Sequence, residues 1–116
     1  MEPDPRAFLW DVQQALIAIQ DFTQGMNSTS YADSALVRSA VERQFEIIGE
    51  ALNRLSKISP DLAKEIPNLR EIIGFRNILI HGYASVDHGR VWQICDELAP
   101  DLNLIVSALL ERLGAD

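Results

Sequence analysis

The chain of 116 residues carries 10 Lys and Arg against 17 Asp and Glu, a net charge of −7; this argues against non-specific binding to duplex DNA or anionic lipid, so that any nucleic-acid site must be local. Hydrophobic residues make up 47 % and charged residues 23 %, with 6 Gly and 5 Pro, a composition that excludes a linker or disordered tail and fits one domain over residues 1–116. The lone Cys95 excludes an internal disulfide and a Cys-built zinc cage within one chain, and the start MEPDPRAF lacks the basic segment and apolar run of a signal peptide, so a cytoplasmic protein with no membrane segment is expected.

Asp4 followed by Pro5 reads as an N-cap with proline at the first helical position. Phe8, Leu9, Val12, Leu16, Ile19 and Phe22 then recur at helical spacing, which predicts a helix from about Pro5 to about Gln24. The stretch GMNSTSYADS has no period and reads as a loop from which Ser30 or Asp33 opens a long second helix. There Leu36, Val37, Ala40, Val41, Phe45, Ile48, Ala51, Leu52, Leu55 and Ile58 form an apolar stripe, with Arg38, Glu42, Glu46 and Arg54 largely off it. Ser59 with Pro60 repeats the cap-plus-proline signal for a helix of at most two turns before Pro67. From Asn68 the positions Leu69, Ile72, Ile73, Phe75, Leu79 and Ile80 predict a third main helix ended by Gly82. Asp87 caps the last segment, which Pro100 should kink or interrupt on its way to the C-terminus. With no period-two strand and no hairpin turn, the fold expected is an all-α bundle. A small chain this apolar often finishes its burial across an interface, so a homo-oligomer is expected.

Eight of the ten cations are Arg, the residue suited to bidentate phosphate or carboxylate contacts. One of them, Arg76, lies in GFRNILIHGY, where Asn77, His81 and Tyr83 are polar groups among Phe75, Ile78, Leu79 and Ile80. Helix geometry stacks Asn77 and His81 four apart and sets Arg76 one position aside. A permanent cation, a neutral donor and acceptor, and an imidazole that exchanges protons near neutral pH suit phosphate chemistry. A ribonuclease that uses no metal needs a base for the ribose 2′-hydroxyl, an acid for the leaving oxygen and a cation for the charge on phosphorus. Two copies with facing motif helices would supply two His81 and two Arg76 around one cleft. The structural reading of the same residues is that Arg76 pairs with Glu46 or Glu50 across the bundle and His81 is a satisfied core histidine. His88, beside Asp87 at a helix start, reads as an exposed capping-region residue. Trp10 and Trp92 read as core or interface anchors, and Cys95 as a small core residue.

Arg76-Asn77-Ile78-Leu79-Ile80-His81-Gly82-Tyr83 resembles the Arg-x-x-x-x-His-x-Tyr motif of the HepT family of HEPN-domain toxins. Ile47-Ile48-Gly49-Glu50-Ala51 is similar to that family's Ile-Gly-Glu-Ala signature, and Val86-Asp87 with Val91-Trp92 resembles the stretch after its motif. The resemblance implies a HEPN-like all-α antiparallel helix bundle of four to five helices that forms a homodimer, cleaves RNA without a metal or cofactor, and acts as the toxin of a toxin-antitoxin system. It also implies catalytic roles for Arg76, Asn77 and His81, and an MntA-type minimal nucleotidyltransferase antitoxin that adenylylates Tyr83. Glu50 would hold Arg76 in place, and Gly49 would let the first or third helix pack closely. The alternative is a non-catalytic helical module that docks a nucleotidyltransferase or binds a nucleotide.

Overall fold

Asp4 and Pro5 start the first helix as their chemistry dictates. In the computed structural model, which describes residues 3–114 except the Tyr83 side chain, α1 runs Pro5–Thr23 with the Asp4 carboxylate accepting the Arg6 N–H at 2.9 Å. That bond satisfies a donor the helix itself leaves orphaned, and proline fills a position whose N–H would have no partner. Leu9, Val12, Leu16 and Ile19 are buried along one face, while Trp10 on the other side is 55 % exposed. Trp10 is therefore not a core anchor.

The stretch expected as a loop contains a short helix, α2 (Ser28–Asp33). Asn27 and Ser30 cap it reciprocally: the Asn27 side chain accepts the Ser30 N–H and the Ser30 hydroxyl accepts the Asn27 N–H, both at 2.9 Å. Such a capping box has no hydrophobic period, which is why periodicity does not find it. Ser34, rather than Ser30 or Asp33, opens α3 (Ala35–Ile58), accepting the Val37 N–H at 3.2 Å. Along α3 the predicted stripe is buried from Val41 to Leu55, but Leu36 is 81 % exposed and Ile58 is also exposed. Leu36 and Ile58 stand in the first and last turns of α3, which at 24 residues is longer than α1 with 19 and α5 with 13.

Pro60–Ala63 forms only a single turn, α4, and the Ser59 side chain makes no capping bond there. Asn68 takes the left-handed conformation at φ 61°, a geometry that asparagine tolerates better than most residues, and redirects the chain into α5 (Leu69–His81). Gly82 ends α5 through its N–H to the Ile78 carbonyl at 2.8 Å, at φ −115° rather than in the left-handed form common for terminal glycines. A 3-10 turn, Tyr83–Ser85, comes next. Asp87 then caps α6 (His88–Gln93), accepting the N–H groups of Gly89 and Arg90. The helical path continues through a π-turn, Ile94–Leu98, into α7 (Ala99–Arg112). Pro100 thus widens the helix instead of breaking it: a proline ring clashes with the carbonyl four residues back, and the extra residue in the π-turn relieves that clash.

Among the described residues four long helical rods result: α1, α3, α5 and the run α6–α7. This is the all-α bundle expected. Helices α1 and α5 pack on α3, α7 packs on α1, and α2 closes the end of α6. The Arg6 guanidinium donates to the Gly114 carbonyl and the Gln13 amide to the Ser107 hydroxyl, both at 2.9 Å. Seven steps forward in α1 match seven steps back in α7, so these two helices are antiparallel. The core joins buried residues of every long helix, with Phe45 and Phe75 edge-to-face at 5.5 Å between α3 and α5. Trp92 is half-buried against the fully buried Tyr31, ring centroids 5.6 Å apart, and so anchors the core as expected. Cys95 is buried too, and desolvation pushes its thiol up to about 12, leaving it protonated and inert. No helix among the described residues is long and apolar enough to cross a membrane.

Candidate functional site

The seam between α3 and α5 positions Arg76, and a glycine makes that seam possible. A Cβ at position 49 would lie 2.5 Å from the Arg76 Cβ and 3.1 Å from its Cδ, closer than carbon atoms pack. Gly49 is buried in the middle of α3, where glycine costs about 1 kcal/mol of helix propensity relative to alanine. The close approach of the arginine stem accounts for that cost.

The next residue of α3, Glu50, holds the arginine head. Its Oε2 lies 3.1 Å from an Arg76 terminal nitrogen, and a second terminal nitrogen donates to Asn77 Oδ1 at 3.3 Å. The other Glu50 oxygen accepts from Arg54 Nε at 2.8 Å. One carboxylate therefore braces two guanidiniums, one oxygen each. The hydrogen bond from Arg54, with the charge of Arg76 adding to it, holds the Glu50 carboxyl below its usual range, so it stays anionic throughout the neutral range. Of the two carboxylates proposed for Arg76 from sequence, Glu50 is the partner; Glu46 pairs with Arg43 at 3.4 Å.

The remaining motif residues are placed differently. Arg76 is 28 % exposed and Asn77 lies at the surface. His81 is exposed on the last turn of α5 and has no hydrogen bond or ion pair among the described residues. It is not the satisfied core histidine of the structural reading. The structure thus brings Arg76, Asn77 and Glu50 into contact within one chain and leaves His81 apart, an imidazole facing solvent a little over one turn further on. Tyr83 lies in the 3-10 turn, and its side chain is outside the described residues. His88, expected at the surface, is half-buried at the start of α6, and its Nδ1 is enclosed without a partner among the described residues.

Position 76 also opens onto a groove of about 260 Å³ between α1, α3 and α5, whose lining includes Phe8, Arg43, Glu50, Arg54 and Ile80. The sequence sets Arg54 off the apolar stripe and gives it no role; the four-residue spacing Glu50 to Arg54 was the signal that it shares the brace. Among the described residues no cluster of three or more His, Cys, Asp and Glu could hold a metal ion.

The fold is thus an all-α bundle with an arginine held between a carboxylate and an amide on a helix that ends in an exposed histidine, and comparison with known proteins narrows its class. Residues 12–109 match the family described as Ribonuclease HepT-like. The chain is 34 % identical over 101 residues to a Methanocaldococcus jannaschii protein named as a candidate RNase, covering 85 % of this chain and 90 % of that one. A second candidate RNase of the same organism is 32 % identical over 112 residues, 95 % of this chain and 94 % of the relative. A Thermococcus cleftensis protein named as a candidate ribonuclease HepT is 32 % identical over 102 residues, 88 % and 92 % of the two chains. No solved structure matches. The chain belongs to the HepT-like ribonuclease family, and its all-α bundle and activity class are those of that family.

Proposed function

We propose that the chain is the toxin of a toxin-antitoxin system: a single HEPN-like domain that acts in the cytoplasm as a homodimeric ribonuclease needing no metal. The observation that carries this reading is the Arg76 guanidinium, held at the surface between Glu50 and Asn77 on the helix that ends in the exposed His81. In the proposed reaction one His81 takes the proton of a ribose 2′-hydroxyl, whose oxygen attacks the adjacent phosphorus. The bond from phosphorus to the 5′-oxygen breaks, and that oxygen takes a proton from the His81 of the second copy, leaving a cyclic phosphate. Arg76 stabilises the charge that builds on the phosphoryl oxygens, Asn77 orients the site, and Glu50 fixes Arg76.

The surface of α5 supports the dimer. Gly74, Asn77, Ile78 and His81 stand at spacings of three, four and seven, hence on one face; Ile78 is 53 % exposed, and a Cβ at Gly74 would meet nothing within 4 Å. A mid-helix glycine that its own chain does not require suits the close approach of a second α5. Tyr83, just beyond His81, is the proposed site at which an MntA-type minimal nucleotidyltransferase antitoxin adds AMP. The added phosphate would compete with substrate phosphate for Arg76.

The test is cleavage of a mixed RNA substrate in EDTA by wild type and His81→Ala, with the intact mass of each sample recorded. Wild type is expected to cleave, and the variant to lose about 10²–10⁴-fold, the worth of a positioned proton-transfer group. Folded, unmodified wild type that leaves the RNA intact would overturn the ribonuclease reading in favour of a helical docking module.

A further inference from the structure

We infer that Arg54, with Arg43 beyond it, binds phosphates of the RNA strand next to the one held by Arg76, so that the α1–α3–α5 groove is the substrate track. This rests on the ribonuclease reading and names where its substrate lies.

Arg54 and Arg76 are held on the two oxygens of one carboxylate, at 2.8 and 3.1 Å. Their guanidiniums therefore lie on either side of one carboxylate, close neighbours on the same surface. Arg54 spends only its Nε on Glu50; both of its terminal nitrogens are without a partner among the described residues, and its side chain is 62 % exposed. A fork of donors is thus aimed away from the brace and open to a ligand. Lastly, Arg43, Ile47, Glu50 and Arg54 stand at spacings of four, three and four, on one face of α3, and all four line the groove that Arg76 enters from α5. From Arg43 to Arg54 that face spans about 16 Å, room for several phosphates of a single strand. Three of the eight arginines line this groove together with Asp11, Glu46 and Glu50; Arg43 spends one terminal nitrogen on Glu46 at 3.4 Å and stays 67 % exposed, so it is the unused guanidinium donors, not a net positive charge, that the groove offers a strand. Glu50 keeps the Arg54 and Arg76 forks apart and oriented before substrate arrives, while the donors it leaves unused face the phosphates. An exposed pair between Glu50 and Arg54 on a helix surface is ordinarily a weak stabiliser; what sets this one apart is the shared carboxylate and the groove beside it.

The experiment measures cleavage kinetics, and the binding of an all-2′-O-methyl single-stranded RNA against salt, for wild type, Arg54→Ala, Arg54→Lys and Arg112→Ala. Arg54→Ala is expected to raise KM about tenfold, as loss of one charge-assisted contact does, and to lower the salt slope of binding by about 0.7. Arg54→Lys restores the slope, because the charge returns without the fork. Arg112→Ala, at a residue paired with Glu65 on another part of the surface, removes the same charge and moves neither quantity. Wild type that cleaves while Arg54→Ala keeps its KM and salt slope overturns the track and leaves the ribonuclease reading standing. An Arg112→Ala variant that behaves as Arg54→Ala does also overturns it, since the effect is then general charge. Wild type that neither binds nor cleaves RNA overturns both.

Discussion

At the α3–α5 seam the Arg76 head keeps 28 % of its side chain exposed and has a carboxylate and an amide for partners. At the α2–α6 end the Tyr31 side chain is fully enclosed against Trp92, and its hydroxyl has no partner among the described residues. Burial pushes the Tyr31 phenol well above its ordinary range, so it stays neutral. The seam gives up side-chain packing at Gly49 to seat a charge where a ligand can reach it; the far end gives up a hydrogen bond to fill volume. At these two places, then, the Arg76 head is held by polar partners within reach of a ligand, whereas the Tyr31 hydroxyl is enclosed by packing alone.

The largest effect should come from the far end. Truncating Tyr31 to Ala should cost about 3–5 kcal/mol, as for other large aromatic side chains in cores, read by chemical denaturation. Tyr31→Phe should leave stability unchanged or raise it, because a buried hydroxyl without a partner costs about 1–3 kcal/mol; a fall in Tm on that substitution would break the contrast between the two regions.

A smaller stability loss but a sharper functional one is expected at the seam. Gly49→Ala drives a Cβ into the Arg76 stem, an overpacking cost of about 1–3 kcal/mol that the gain of about 1 kcal/mol in helix propensity partly offsets. Cleavage should fall by up to about 10²-fold, the effect of misplacing a reacting group by about 1 Å. A stable Gly49→Ala protein that cleaves like wild type would show that Arg76 does not depend on this seat.

The smallest effect is on pH dependence. Glu50 has its carboxyl held low by Arg54 and Arg76, so the stability it contributes is present above its unfolded pKa of about 4.3 and is lost as pH falls through the lower folded value. The Tm difference between wild type and Glu50→Gln should accordingly hold constant across the neutral range and close at acid pH, below the ordinary glutamate range. A difference that persists undiminished in acid would mean that the carboxylate charge is not what braces the two arginines.

Much of the fold was legible in the residues themselves. The apolar period placed α1, α3, α5 and the final rod, and Asp4, Asp87 and Gly82 marked the ends they were expected to mark. Periodicity is a property of each helix alone, so it needs no knowledge of neighbours. The capping box of α2 and the π-turn before Pro100 escaped it because local hydrogen bonding and ring sterics decide them, not burial.

At the site, the motif residues and their common helix were set by the order of residues along the chain, and so was the choice of carboxylates within reach. Which carboxylate Arg76 takes, why position 49 carries no side chain, that Arg54 shares the same brace, and that His81 faces solvent were decided by the tertiary structure alone. The reason is physical. Spacing fixes angles around one helix axis, but a contact between two helices also depends on how closely and in what register their axes meet, and here that is set by the fit of an arginine stem onto a glycine.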